Sequence, residues 1–200
     1  GSIRGVSALL WLNPTLLLHG CLNLLDLDSN GEADASPDVH IVPFGIEKMT
    51  YLRLIETLAL HSRLYEFPYD WRKSNISTAH LLHESIQRWT LADPARRFTI
   101  FCHSMGGLVA RTYMALYPGE AEKHIERVIM VGSPLHGAPM AALAFSARLH
   151  PYLLVANLHE GNDLVQFSPS LPSAYPLLPP PPSPFSACDP FPFVWAFHLP

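Results

Sequence analysis

The chain has 200 residues, 48% of them apolar, with a formal net charge of −4. That length suits one domain or a piece of a larger one, with apolar side chains enough for a sizeable core. The mild charge, with no block of one sign, argues against nucleic acid as a partner.

Residues 3–28 alternate apolar runs with breaks at Asn13-Pro14 and His19-Gly20, and 29–38 read as a polar loop. A helix is expected over about 47–61, where Leu52, Ile55 and Leu58/Ala59 recur at spacings of three and four. "RLYEFPYDW", 63–71, reads as a short strand running into a loop. A second amphipathic helix is expected over 75–92, with Ile76, Ala79, Leu82, Ile86 and Trp89 on one face and Pro94 just past its end. "FTIFC", 98–102, suits a buried strand, 106–117 a helix that Pro118-Gly119 terminates, and "RVIMVGSP", 127–134, another buried strand. Strands alternating with helices imply βαβ units: an α/β fold with a mostly parallel sheet and helices on both faces. Residues 140–167 are apolar and expected to be helical in parts. Residues 168–200 hold eleven of the twenty prolines, interleaved with Tyr175, Phe185, Phe191, Phe193, Trp195 and Phe197, which suits an irregular packed segment better than a linker. The division is therefore a core portion, 1–139, and a cap-like or lid-like segment, 140–200.

No stretch reaches the ~18 uninterrupted apolar residues of a membrane helix. The start has no signal-peptide pattern. Cys21, Cys102 and Cys188 are far apart, without metal-type spacing or a disulfide framework, which points to a reducing, cytoplasmic setting. The eleven histidines include no H-x-x-x-H or H-E-x-x-H pair, so no metal site is indicated. Asn75-Ile76-Ser77 fits the glycosylation triplet, a pattern frequent by chance.

"FCHSMGGLVAR", 101–111, places Ser104 between the strand and the helix, the context in which x-x-S-x-G marks a nucleophile elbow. A turn that tight needs small residues two before and two after the serine, here Cys102 and Gly106. Gly107 lets the helix pack closely on the neighbouring strand. The turn would lift Ser104 Oγ above the sheet and turn the Met105 backbone N–H toward a developing oxyanion, assisted by the helix N-terminus. His103 adjoins the serine, but adjacent side chains at an elbow point apart, so it is not the expected base. The competing reading makes Ser104 an ordinary helix N-cap.

"HSMGGLVAR" resembles the elbow of α/β-hydrolase lipases. "FPYDWR", 67–72, and "MVGSPLHGAP", 130–139, resemble segments of the lecithin:cholesterol acyltransferase-like group, and "SALLWLNP", 7–14, and "SLPSAYPLLPP", 170–180, resemble segments of bacterial members. The resemblance implies a partial α/β-hydrolase fold and a serine nucleophile, Ser104, acting on acyl esters of lipids, with Met105 giving one oxyanion N–H. It implies that Asp70 and Arg72 form a charged pair bracing a loop near the site. The implied partner is a lipid or other acyl ester, with contact at a membrane surface. Such chemistry needs no metal and no cofactor.

A serine needs a histidine base and an acid to orient it, in the chain order Ser, Asp/Glu, His for this fold. Asp163 and His198 stand in that order, with Asp189 as a further acid. The resemblance instead places 150–180 in a cap-like region and puts acid and base after residue 200. "TLLLHG", 15–20, offers His19 and Gly20 as a second oxyanion turn, against a helical reading of the same run. The expectation is a truncated or internal portion of a serine acyl hydrolase or acyltransferase. The alternative is a binding module or incomplete domain without chemistry.

Overall fold

The structure, a computed structural model, describes residues 25–138, 141 and 171–178. The described elements run α1 (Lys48–His61), α2 (Asn75–Thr90), β1 (Phe98–His103), α3 (Gly106–Leu116), α4 (Pro118–His124), β2 (Ile125–Val131) and a 3₁₀ helix (Pro172–Leu177). β1 and β2 pair in parallel, with Ile100 opposite Val128 and Cys102 opposite Met130. Parallel strands require a crossover, and α3 and α4 supply it. This is a portion of an α/β fold, as expected.

α2 starts where Ser74 Oγ accepts the Ser77 N–H at 2.9 Å, a side-chain N-cap. Its buried stripe is Asn75, Thr78, Ala79, Leu82, Ser85 and Ile86. The expected face is corrected at its first member, since Ile76 lies one position round from that stripe and is 55% exposed. Asn75 is buried, so the glycosylation triplet is closed to modification in the folded chain. Ala79, Leu82 and Ile86 meet Val109 and Tyr113 of α3, Ala121 of α4 and Ile125 of β2 in one core. Phe67, Tyr69, Trp89, Phe98, Ile100 and Val128 pack around it.

β1 alternates. Phe98, Ile100 and Cys102 are wholly or partly buried, while Thr99, Phe101 and His103 are exposed. α2, α3 and α4 lie over the first set, and α1 reaches the second through a hydrogen bond between Tyr51 OH and His103 Nδ1. α1 is less embedded than its periodicity predicts. Its apolar stripe is only half-buried at Tyr51, Ile55 and Leu58, and Leu52 stays exposed. The Lys48–Glu66 ion pair, 3.0 Å, is a second tie.

Two expectations are corrected here. Residues 63–70 form no ladder among the described residues; Pro68 has no N–H to donate, and the segment packs instead through Phe67 and Tyr69. Pro118 does not merely end α3. It sits at the first position of α4, where its missing N–H costs nothing and its fixed φ is favourable. Residues 140–170, apart from Ala141, lie outside the described residues. In the proline-rich tail, the 3₁₀ helix is anchored by buried Leu171 and Ser173.

Candidate active site

β1 delivers Ser104 to the mouth of α3. The β1–β2 ladder is carried one residue past the strand by the Ser104 N–H, which donates to the Val131 carbonyl at 2.9 Å. The chain then reverses at Ser104 with φ +51°, the one positive φ at a non-glycine residue among those described. A serine in that region costs of order 1–3 kcal/mol, and such strain persists only where the surroundings enforce it. Here the enforcement is visible on both sides. The N–H is tied to β2, and the Ser104 carbonyl accepts the Gly107 N–H at 3.1 Å to start the helix.

Ser104 does not act as a side-chain cap. α3 is capped by Met105, which has helical dihedrals (φ −57°, ψ −24°) and makes no side-chain cap hydrogen bond. The ordinary N-cap reading of the serine therefore does not describe this turn. Ser104 is exposed, and the Met105 N–H has no acceptor among the described residues. An exposed serine thus stands next to a donor at a helix N-terminus that has no acceptor among the described residues.

The glycines serve different ends. A Cβ on Gly107 would lie 2.1 Å from Ser133 Oγ and 2.6 Å from Ser133 Cβ, so only glycine lets α3 settle on the loop after β2. A Cβ on Gly106 would meet Cys102 Cβ at 3.7 Å and Tyr69 OH at 3.9 Å, ordinary contacts.

Tyr69 and Cys102 line the floor of the turn. Burial, with smaller effects from the Cys102 and Tyr51 charges, pushes the Tyr69 phenol up to about 12. Burial alone pushes the Cys102 thiol up to about 11. Both stay protonated at neutral pH, so Cys102 is a packing residue and not a thiolate nucleophile. His103 is exposed, and its ring engages Tyr51 both by the hydrogen bond and edge-on at 5.6 Å between centroids.

Asp70 and Arg72 form the second feature. Arg72 is 1% exposed. Its Nε donates to Asp70 Oδ1 at 2.9 Å and its Nη2 to Asp70 Oδ2 at 2.7 Å, a bidentate fork. Its Nη1 donates to the Leu25 carbonyl at 3.1 Å. Asp34 Oδ1 lies 2.8 Å from Nη2, an ion pair at close range without the alignment of a hydrogen bond. The backbone closes the arrangement, the Arg72 carbonyl accepting the Ser173 N–H at 3.4 Å. Burial disfavours the guanidinium charge, but the hydrogen bonds of Asp70 and the close carboxylates of Asp70 and Asp34 outweigh it and hold the group above its ordinary range.

A family model described as lecithin:cholesterol acyltransferase matches residues 59–180, a span that holds the FPYDWR segment, the serine turn and the loop after β2. The chain belongs to the lecithin:cholesterol acyltransferase family. Its small parallel sheet with flanking helices is a part of that family's α/β-hydrolase fold. Two relatives from Arabidopsis thaliana are similar over 78 residues, 38% of this chain. Lecithin-cholesterol acyltransferase-like 4 is 31% identical, and Phospholipase A(1) LCAT3 is 32% identical. The matched stretch spans 15% and 17% of those relatives' lengths. No solved structure matches the chain.

Of the family member's candidate residues, the structure brings Ser104, Met105, Cys102, Gly106 and Gly107 into one turn and Asp70 and Arg72 into one buried pair. Tyr69 links the two, lying in the segment that ends in Arg72 with its hydroxyl 3.9 Å from where a Cβ on Gly106 would stand. Asp163, His198, Asp189, His19 and Gly20 lie outside the described residues. The sequence reading missed Tyr51 and Tyr69 beside the turn, and Asp34, Leu25 and Ser173 around Arg72. No local pattern marks these, because each acts through a contact distant in the chain. Among the described residues no group of three metal-ligating side chains gathers, and no helix is long and apolar enough to cross a membrane.

Proposed function

We propose that this protein is a serine acyl hydrolase or acyltransferase acting on lipid esters, with Ser104 as nucleophile. The observation that carries the proposal is the strained, exposed serine at the turn from β1 into α3, in a chain of this family. Ser104 Oγ attacks the ester carbonyl while its proton passes to a base. The carbonyl oxygen becomes an oxyanion that accepts the Met105 N–H at the positive end of α3. Collapse expels the alcohol and leaves an acyl group on Ser104. Water then releases a fatty acid, or a second alcohol takes the acyl group.

Within the chain, Asp163 and His198 are the pair that stands in the order this fold uses for acid and base. The Asp70–Arg72 pair braces the segment that carries Tyr69 to the turn; neither residue enters the chemistry. The lipid substrate brings the protein to a membrane surface. The test is pre-steady-state hydrolysis of a p-nitrophenyl ester of a medium-chain acid. An acyl-enzyme gives a burst of nitrophenol equal to the enzyme concentration, which Ser104→Ala removes. Steady turnover without a burst that survives Ser104→Ala would refute the assignment.

One observation favours a second reading. Three of the seven described histidines are engaged away from Ser104: His103 with Tyr51, His80 with Tyr117, and buried His124 with the Arg96 carbonyl. If Asp163 and His198 do not supply the pair, this chain by itself is a lipid-binding module with the hydrolase architecture and no turnover.

A further inference from the structure

A groove of about 580 Å³ runs along α3 past Leu108, Arg111, Thr112 and Ala115, beginning one turn after Ser104. Ile76, Leu116, Pro172 and Pro176 form its apolar walls, and Ile76 and Leu116 remain about half exposed. An apolar trough of this size is in the usual range for a small-molecule site.

Among its polar lining residues, which include Ser74, Thr112 and Tyr175, two stand out. Arg111 faces the groove and has no ion pair among the described residues. Asn75, 6% exposed, also lines it, and its Oδ1 is buried with no hydrogen-bond partner. A buried acceptor left unpaired costs about 1–3 kcal/mol, so it marks a place where a donor belongs. Asn75 is the first residue of the sixteen-residue α2, whose N-terminus adds partial positive charge on the same side.

We infer that the groove binds a lysophospholipid. The three features correspond to its three parts. A single acyl chain lies along the apolar walls, the phosphate pairs with Arg111 at the positive end of α2, and the free glycerol hydroxyl donates to Asn75 Oδ1. A fatty acid has no hydroxyl to satisfy Asn75. A diacyl phospholipid has a second chain and no free hydroxyl on its glycerol backbone. The inference rests on the acyl-hydrolase reading above, because hydrolysis of one ester of a diacyl phospholipid adds water across the C–O bond and yields a fatty acid and this product. The groove is distinct from the serine turn, and α3 is the element they share.

Calorimetric titration with dodecanoyl lysophosphatidic acid, below its micelle concentration, tests the inference on the protein and on Ser104→Ala. Both are expected to bind one equivalent saturably. Arg111→Glu is expected to weaken binding at least tenfold, and Ala115→Trp, at an exposed groove position, to abolish it. Asn75→Leu removes the orphan acceptor and keeps the branched side-chain shape, so it is expected to keep the fold and to lower lysophospholipid affinity to that of dodecanoic acid. Equal affinity for dodecanoic acid in the unaltered protein would overturn the inference. So would indifference to both groove variants, or loss of binding in Ser104→Ala. Covalent labelling of Ser104 together with absent binding would remove the groove site and leave the acyl chemistry standing. Binding without labelling would keep the groove site and remove the chemistry.

Discussion

Around Ser104 the constraints come from the same short stretch of chain and from the strand beside it: one hydrogen bond to Val131, one to Gly107, and the close seat of Gly107 on Ser133. Around Arg72 they come from afar. Leu25, Asp34 and Asp70 converge on one buried guanidinium, and the Ser173 N–H donates to the carbonyl of the same residue. The serine turn stores backbone strain and presents a polar atom to solvent. The arginine centre hides a charge and neutralises it. The first suits a reacting group and the second a brace, since a charge buried and paired on two sides has no freedom to reach a substrate.

The largest effect should come from breaking the brace. Arg72→Ala leaves Asp70 and Asp34 without their cation, and removing one partner of a buried pair costs about 3–5 kcal/mol. Urea denaturation should show that loss, and Arg72→Lys, which cannot make the fork, should recover only part of it. Retention of full stability in Arg72→Ala would remove the contrast between the two regions.

The turn should respond to single methyl groups. Gly107→Ala forces a Cβ to within 2.1 Å of Ser133 Oγ, an overpacking worth about 1–3 kcal/mol. That exceeds the ~1 kcal/mol that alanine gains in a helix. Ser133→Gly in the same chain should restore most of the loss. Gly106→Ala meets only ordinary contacts and should be near neutral. If the two glycines prove equally sensitive, the description of how α3 seats is wrong.

Strain at Ser104 predicts a smaller effect of opposite sign. Ser104→Gly relieves a positive φ and should stabilise the fold by about 1 kcal/mol, or roughly 2–4 °C in Tm. It should also abolish turnover. Ser104→Ala should abolish turnover with Tm near its starting value. A destabilised Ser104→Gly would mean the turn carries no strain.

At neutral pH the floor of the turn should be silent. Cys102 and Tyr69, raised to about 11 and about 12 in the fold from ordinary values of 9.0 and 10.0, keep their protons longer folded than unfolded. Their contribution is full below about pH 9 and is lost as pH rises through 11 to 12. Tyr113, also pushed by burial to about 12, adds to the same window. Stability measured from pH 8 to 11 should fall, with Cys102→Ala shallowing the lower part of the slope.

The contrast also explains what could be read from sequence. The elbow is local: "FTIFCHSMGG" names a strand, a turn and a helix start with no help from elsewhere, and Gly107 announces its own close packing. Asp70 and Arg72 were legible as a pair, but Asp34 lies 38 positions before Arg72 and nothing in "SNGEADASPD" marks it as its partner. Helical periodicity identified α1 and α2 equally well. It could not tell that α2 would be roofed by α3 and α4 while α1 would be held by Tyr51–His103 and Lys48–Glu66. Burial is a tertiary property, and the same stripe serves a core helix and a half-covered one.

The central claim is that Ser104 is a nucleophile held ready by its turn. A fluorophosphonate probe followed by peptide mapping tests it directly. The account predicts one adduct, on the peptide containing Ser104, absent from Ser104→Ala and absent after urea unfolding. An adduct on any other residue, or a folded protein that takes up no probe, would contradict it.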